Sequence, residues 1–217
     1  MVMIVAIDGP GAAGKGTVAR RLAEHFGYAY LDTGKLYRAV AKRLLAAHAD
    51  PGDAQAAEDA ARTLGPEHLA DPDLRREEVA RAAAIVAQDK GVRAVLLDFQ
   101  RRFAAHPPGG APGAVMDGRD IGTVVCPDAP AKLFVTAAAA ERARRRTLEL
   151  RERGEEAIYA RVLEELEVRD RRDSERTTAP LAIAKDAHVL DTTELDADAA
   201  FAAALVFVVA RRASRLV

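Results

Sequence analysis

The sequence predicts an α/β protein: a five-stranded parallel sheet with helices on both faces. Three observations lead there. Five short apolar runs are separated by alanine-rich, charged stretches with helical spacing. Strands that alternate with helices favour a parallel sheet buried on both sides. A glycine-rich turn joins the first apolar run to the first helical stretch. The length of 217 residues suits one domain with inserts, able to bury about 70–75% of its unfolded surface.

The expected strands are Ile4–Ile7, Tyr28–Leu31, Ala114–Met116, Lys132–Val135 and His188–Leu190. The first helix is expected over Lys15–Phe26, with Val18, Leu22 and Phe26 on one face. A second helical stretch runs near Glu77–Ala105, with Gly91 as its weak point. Two intervals exceed a simple crossover. One is expected to be an insert of about residues 36–112, ending in the turn-rich His106–Gly113. The other, about 142–176, holds eleven arginines against ten acids, which reads mainly as a salt-bridged helix pair. The apolar run Ala199–Ala210 is about half a membrane span and is expected to dock on the core, ahead of Arg211 and Arg212.

Composition excludes several classes. Hydrophobic residues are 49%, charged residues 30%, and 32 Lys+Arg stand against 33 Asp+Glu, for a net charge of −1. That excludes a globally basic nucleic-acid binder. Cys126 is the single cysteine, so neither an internal disulfide nor a zinc cage is expected. The first residues carry no basic region and reach Asp8 early, unlike a signal peptide. These readings predict a cytoplasmic protein without nucleic-acid or membrane partners; a monomer is expected, though not from composition.

The strongest motif is Gly9-Pro10-Gly11-Ala12-Ala13-Gly14-Lys15-Gly16-Thr17. Gly9, four residues, then Gly14-Lys15 fits a P-loop, whose backbone N–H groups cradle phosphates while the lysine reaches the β- and γ-phosphates. Gly16 stands where Ser or Thr usually meets magnesium, and the hydroxyl follows at Thr17. The same residues spell the G-x-G-x-x-G of a dinucleotide site, and Asp32 stands near the place of a ribose-binding acid. Lys15 argues against that oxidoreductase reading, because a cation in a helix's first turn opposes the macrodipole unless an anion intervenes. No guanine-reading N-K-x-D is present. Further polar blocks follow the second and third strands: Leu31-Asp32-Thr33-Gly34 with Tyr37-Arg38, and Asp117-Gly118-Arg119-Asp120 with Gly122-Thr123. Arg169-Asp170, Asp173 and Arg176 come later. Ligands of open α/β sheets sit at the carboxyl ends of strands, so the first two blocks should converge on the loop.

With these residues the chain resembles bacterial cytidylate kinases, P-loop nucleoside monophosphate kinases, from Ile4 to about Thr193. The resemblance implies transfer of the γ-phosphoryl of ATP to CMP or dCMP with Mg2+. It implies ATP binding by the loop Gly9 to Thr17 and by Arg169 with one or more of Arg142, Arg145 and Arg146, Arg145 or Arg146 being preferred, and a catalytic group of Lys15, Asp117, Arg119 and Arg169. Thr33, Arg38, Arg93, Arg119, Asp120, Asp173 and Arg176 are implied to bind the acceptor. Asp117 and Thr17 are implied to lie near the metal, which is held through phosphates and water. The resemblance further implies that residues 142–176 act as a lid. Ala84 stands where relatives often carry a serine that touches the base, and the segment Arg62–Arg76 is shorter than in many members. The alternative acceptors are UMP, AMP or a coenzyme precursor.

The chemistry agrees. Phosphoryl transfer rests on positioning and charge stabilisation, so several arginines, a lysine and a metal suffice without a nucleophilic side chain. Asp8 reads as a loop-organising acid.

Overall fold

The computed structural model describes residues 2–214. The chain folds as two compact units, one running up to Leu31 and resuming at His106, the other Asp32–Ala105.

The first unit holds the sheet. The strands are β1 (Met3–Asp8), β2 (Ala29–Asp32, its last residue at the boundary), β3 (Gly113–Gly118), β4 (Ala131–Thr136) and β5 (His188–Asp191), in spatial order β2-β3-β1-β4-β5. All five expected strands are present, each extended by one or two residues at one or both ends except β2, which is shifted by one. The sheet is parallel, with β1 between β3 and β4: Ile7 stands opposite Asp117 on one side and Leu133 on the other. This register brings the carboxyl ends of β1 and β3 side by side, so Asp8 and Asp117 lie at the same end of the sheet.

Helix α1 (Lys15–Phe26) occupies the expected residues. It packs with the C-terminal helix Ala197–Ala213 on one face of the sheet, through Val18, Leu22, Ala204 and Val208 against Val5, Ile7, Val115, Leu133 and Val135. The apolar run near the C-terminus is thus a docked core helix. Ala6, Ala114 and Met116 point to the other face and are fully buried, so that face is covered too. Among the described residues, no helix is long and apolar enough to cross a membrane.

In the second unit, α2 (Thr33–Ala46) packs against α3 (Ala54–Arg62) and α5 (Glu77–Val86), and α3 packs against α6 (Lys90–Ala105); the short α4 spans Pro66–Ala70. Asp32 caps α2 by accepting from the Lys35 amide. The expected stretch Glu77–Ala105 is two helices, and the break lies at Ala87–Asp89 rather than at Gly91. Asp89 causes it: its side chain accepts from the Val92 amide at 2.8 Å and starts a new helix. Gly91 falls within the first turn of that helix.

Candidate functional site

Local geometry at the end of β1 follows from glycine. Gly9 has φ +143°, and a Cβ there would lie 1.9 Å from the Val135 carbonyl oxygen. Only glycine permits this passage over β4. Gly14 (φ +86°) is the left-handed cap of α1, and its carbonyl accepts from the amides of Thr17 and Val18. Lys15 opens the helix, whose first turn holds no acid. Its ammonium is buried and folds back on the Pro10 carbonyl at 2.6 Å. Burial first, then the Arg119 guanidinium, push the Lys15 pKa well below the usual lysine range, with Asp117 opposing. A bound anion would relieve this positive crowding.

Asp117, one residue from the end of β3, is a buried carboxylate. The Tyr30 hydroxyl donates to its Oδ1 at 3.2 Å. A Cβ on Gly16 would stand 3.6 Å from Asp117 Oδ2, so the carboxylate lies against the loop at the position that often carries Ser or Thr. Thr17 is exposed. No three His, Cys, Asp or Glu side chains gather into a metal cage among the described residues. One carboxylate beside a phosphate loop fits magnesium, which keeps several waters and takes phosphate oxygens as ligands.

Asp8 ties this region together. Its oxygens accept from the amides of Ile121 (2.8 Å) and Gly122 (2.7 Å). These residues begin a π-helical turn, Ile121–Val125, directly after Arg119 and Asp120. Burial raises the Asp8 pKa to about 6, against the two amides and Lys15 that lower it; Asp120 adds to the rise.

Two predicted arginines meet at the loop, and a predicted acid, Asp173, joins them to a third. The Arg119 Nε donates to Asp173 Oδ2 at 2.9 Å, and Arg169 Nε lies 3.8 Å from the same oxygen. A Cβ on Gly11 would stand 3.7 Å from Arg119 Nη2 and 3.8 Å from Arg169 Nη1. Burial would raise the Asp173 pKa, but Arg119, Arg169 and Arg176 together hold it below the usual carboxylate range. Arg176 also donates to the Ala179 carbonyl.

Helices α7 (Ala139–Glu152) and α8 (Tyr159–Glu175) form the arginine-rich hairpin. Ala143, Leu150, Val162 and Leu166 make its small core, against which Ala12 of the loop packs. Of Arg142, Arg145 and Arg146, the one that meets the loop is Arg142, outside the preferred pair. It is 5% exposed, donates to the carbonyls of Ala137 and Gly11, and pairs with Asp170 at 2.7 Å. Arg145 is directed elsewhere. It bonds Glu141, Thr192 Oγ1 and the carbonyls of Thr192 and Leu195, securing α7 to the segment after β5. Thr192 in turn donates to the Ala13 carbonyl at 3.1 Å, so Arg145 reaches the loop through Thr192. Arg146 pairs with Glu149 on its own helix.

Thr33, Arg38 and Arg93 belong to the second unit. Thr33 is buried at the start of α2, and Arg38 lies one and a half turns on. Arg93 is buried on α6, with its guanidinium 5.8 Å from the Tyr37 ring centroid and a bond to the Ala87 carbonyl.

A family model for cytidylate kinase matches residues 5–208. A cytidylate kinase of Paramagnetospirillum magneticum is 61% identical over 98% of this chain and 100% of its own. One from Methylocella silvestris is 58% identical over 95% and 94%, and one from Rhodospirillum rubrum 57% over 94% and 95%. In fold, the chain is similar to a crystal structure of an uncharacterized Eubacterium ventriosum protein, with 16% identity and TM-score 0.52 over 95% of this chain and 98% of that one. It is similar too to a sugar kinase from a Janibacter species, with 15% identity and TM-score 0.51 over 95% and 94%. A glycine-rich loop backed by a buried lysine and a buried carboxylate, together with identity above half across nearly the whole length, leads to one conclusion: this chain belongs to the cytidylate kinase family.

Proposed function

We propose that the protein transfers the γ-phosphoryl group of ATP to CMP or dCMP, giving ADP and CDP or dCDP. The observation that carries this reading is the convergence of Arg119 and Arg169 on Gly11, beside buried Lys15 and Asp117. The acceptor's phosphate oxygen is already a nucleophile, so the protein's task is to align two phosphates and neutralise the charge between them.

Within the first unit, Lys15 and the amides of the loop receive the β- and γ-phosphates of ATP. Arg169 steadies them, and Arg142 holds the loop's shape through Gly11. Arg119 meets the acceptor's phosphate and Asp120 its base. Asp173 and Arg176 approach sugar and phosphate. Within the second unit, Thr33, Arg38 and Arg93 serve the acceptor. Asp117 would hold Mg2+ through water, and that ion would supply charge neutralisation across the phosphates. Residues 142–176 act as a lid that excludes water. The enzyme works as a monomer in the cytoplasm.

A coupled ADP-release assay over CMP, dCMP, UMP and AMP tests the reading. CMP and dCMP should be turned over fastest. Faster turnover of UMP or AMP would overturn the choice of acceptor.

A further inference from the structure

Within the second unit, a groove of about 310 Å³ is lined by Asp32, Lys35, Arg38, Asp71, Leu74 and Arg75, among others. Three of these residues are cations. Among the described residues, no carboxylate forms an ion pair with Lys35, Arg38 or Arg75. The two acids are otherwise engaged. Asp71 is paired with Lys42, which also holds Asp73 at 3.1 Å, and Asp71 accepts from the Asp73 amide. Asp32 accepts from the Lys35 amide as the cap of α2.

Lys35 stands in the first turn of α2, which holds no acid. A lysine there opposes the helix dipole, and the opposition becomes an attraction once an anion lies between ammonium and helix end. Lys15 stands likewise in the acid-free first turn of α1. The short 3-10 segment Pro72–Arg75 brings Arg75 to the groove, and the Lys42 clamp on Asp71 and Asp73 fixes that segment to α2. Leu74, 1% exposed, anchors it further. The clamp therefore holds Arg75 in place and occupies a carboxylate that would otherwise compete for the groove's cations.

We infer that Lys35 and Arg75 join Arg38 in one anion subsite that takes the phosphate group of the acceptor. The inference rests on the acceptor reading above, in which Arg38 serves the acceptor within this unit. A phosphate monoester carries up to two charges and three acceptor oxygens, which the three cations lining the groove can share.

The experiment combines kinetics with direct binding. Lys35→Met and Arg75→Gln should each raise KM for CMP about tenfold, the loss typical of one charge-assisted hydrogen bond. KM for ATP should stay within twofold, and melting temperatures should be unchanged. Lys35→Arg should restore much of the affinity. Titration calorimetry with inorganic phosphate should show weaker binding to both variants than to the parent. An unchanged KM for CMP overturns the inference, as does an equal rise in KM for both substrates, which would mark a merely structural role. If the parent proves not to phosphorylate CMP at all, the acceptor reading fails, and the phosphate titration still decides the subsite. Equal phosphate binding by parent and variants would then overturn it.

Discussion

Asp8 offers a test that separates folding from function, and Asp8→Asn is the substitution to make. The carboxyl is buried, and its pKa is raised from 3.8 to about 6, chiefly by loss of water. Between those two values the folded protein binds a proton that the unfolded chain has released, so stability falls as pH rises through the window. At about 1.4 kcal/mol per pH unit, ionised Asp8 costs about 3 kcal/mol above pH 6, a cost that disappears below pH 3.8. Most of that change falls between pH 4 and 7. Asparagine keeps the shape without the charge. It accepts from one of the two amides, Ile121 or Gly122, and turns an NH2 toward the other, a constant penalty of ~1–3 kcal/mol. The offset between the two proteins is therefore small at neutral pH, and the pH dependence of the difference is diagnostic. Urea unfolding followed by circular dichroism should show Asp8→Asn gaining about 2–3 kcal/mol on the parent from pH 4 to 7. Turnover at pH 7.5 should fall, because the turn that follows Arg119 and Asp120 loses one tether. A difference that is flat to within ~0.5 kcal/mol over that range, or that declines, refutes the argument that burial governs this carboxyl.

Four further outcomes are expected. Lys15→Met should abolish phosphoryl transfer while leaving the circular dichroism spectrum and melting temperature nearly intact, and near-normal turnover with ATP and magnesium would contradict the phosphate-loop assignment. Asp120→Asn should narrow the preference for CMP over UMP by roughly tenfold, because a carboxylate accepts from the cytosine amine and repels the uracil carbonyl whereas an amide does neither selectively; equal slowing of both substrates in kcat/KM would assign Asp120 to loop geometry alone. Hydrogen exchange across Leu148–Arg172 should slow markedly when ATP and CMP are both present, since the apolar core around Leu150, Val162 and Leu166 is small; identical protection with and without nucleotides would remove the lid. Arg142→Met should destabilise the protein by ~3 kcal/mol in thermal unfolding, because it strands Asp170 and frees the Gly11 carbonyl.

The parts that could be read from the chain are those governed by short-range pattern. Val5, Ile7, Val115, Leu133 and Val135 belong to continuous apolar runs, and such runs mark buried parallel strands irrespective of partners. Helix α1 was bounded on both sides by glycine, at Gly14 and Gly27. The split at Ala87–Asp89 escaped because a capping aspartate within an alanine-rich, helix-favouring stretch competes with a more conspicuous glycine two residues on. The division of labour among Arg142, Arg145 and Arg146 escaped for another reason. Three near-consecutive arginines on a helix point in different directions, and which one meets the loop depends on how the helix is rotated. Glu141 and Thr192 capture Arg145, and that pairing spans 47 residues of sequence. Likewise the Tyr30 bond to Asp117 joins two adjacent strands that are 87 positions apart.

The glycines of the phosphate loop are under unequal demands, and this bears on how the gene could be varied. At Gly9 any side chain would strike the backbone of β4, so alleles there should be lost for want of folded protein, even in a screen that ignores catalysis. Gly14 has open space around it and only a left-handed backbone to satisfy. Ala12 already adopts such a backbone at φ 58° without being glycine. A library selected only for solubility should therefore keep Gly9 fixed and let position 14 drift toward asparagine, whereas selection for growth on phosphorylated product would hold both. Comparing the two selections would sort the residues of one short motif into those that shape the protein and those that serve its chemistry.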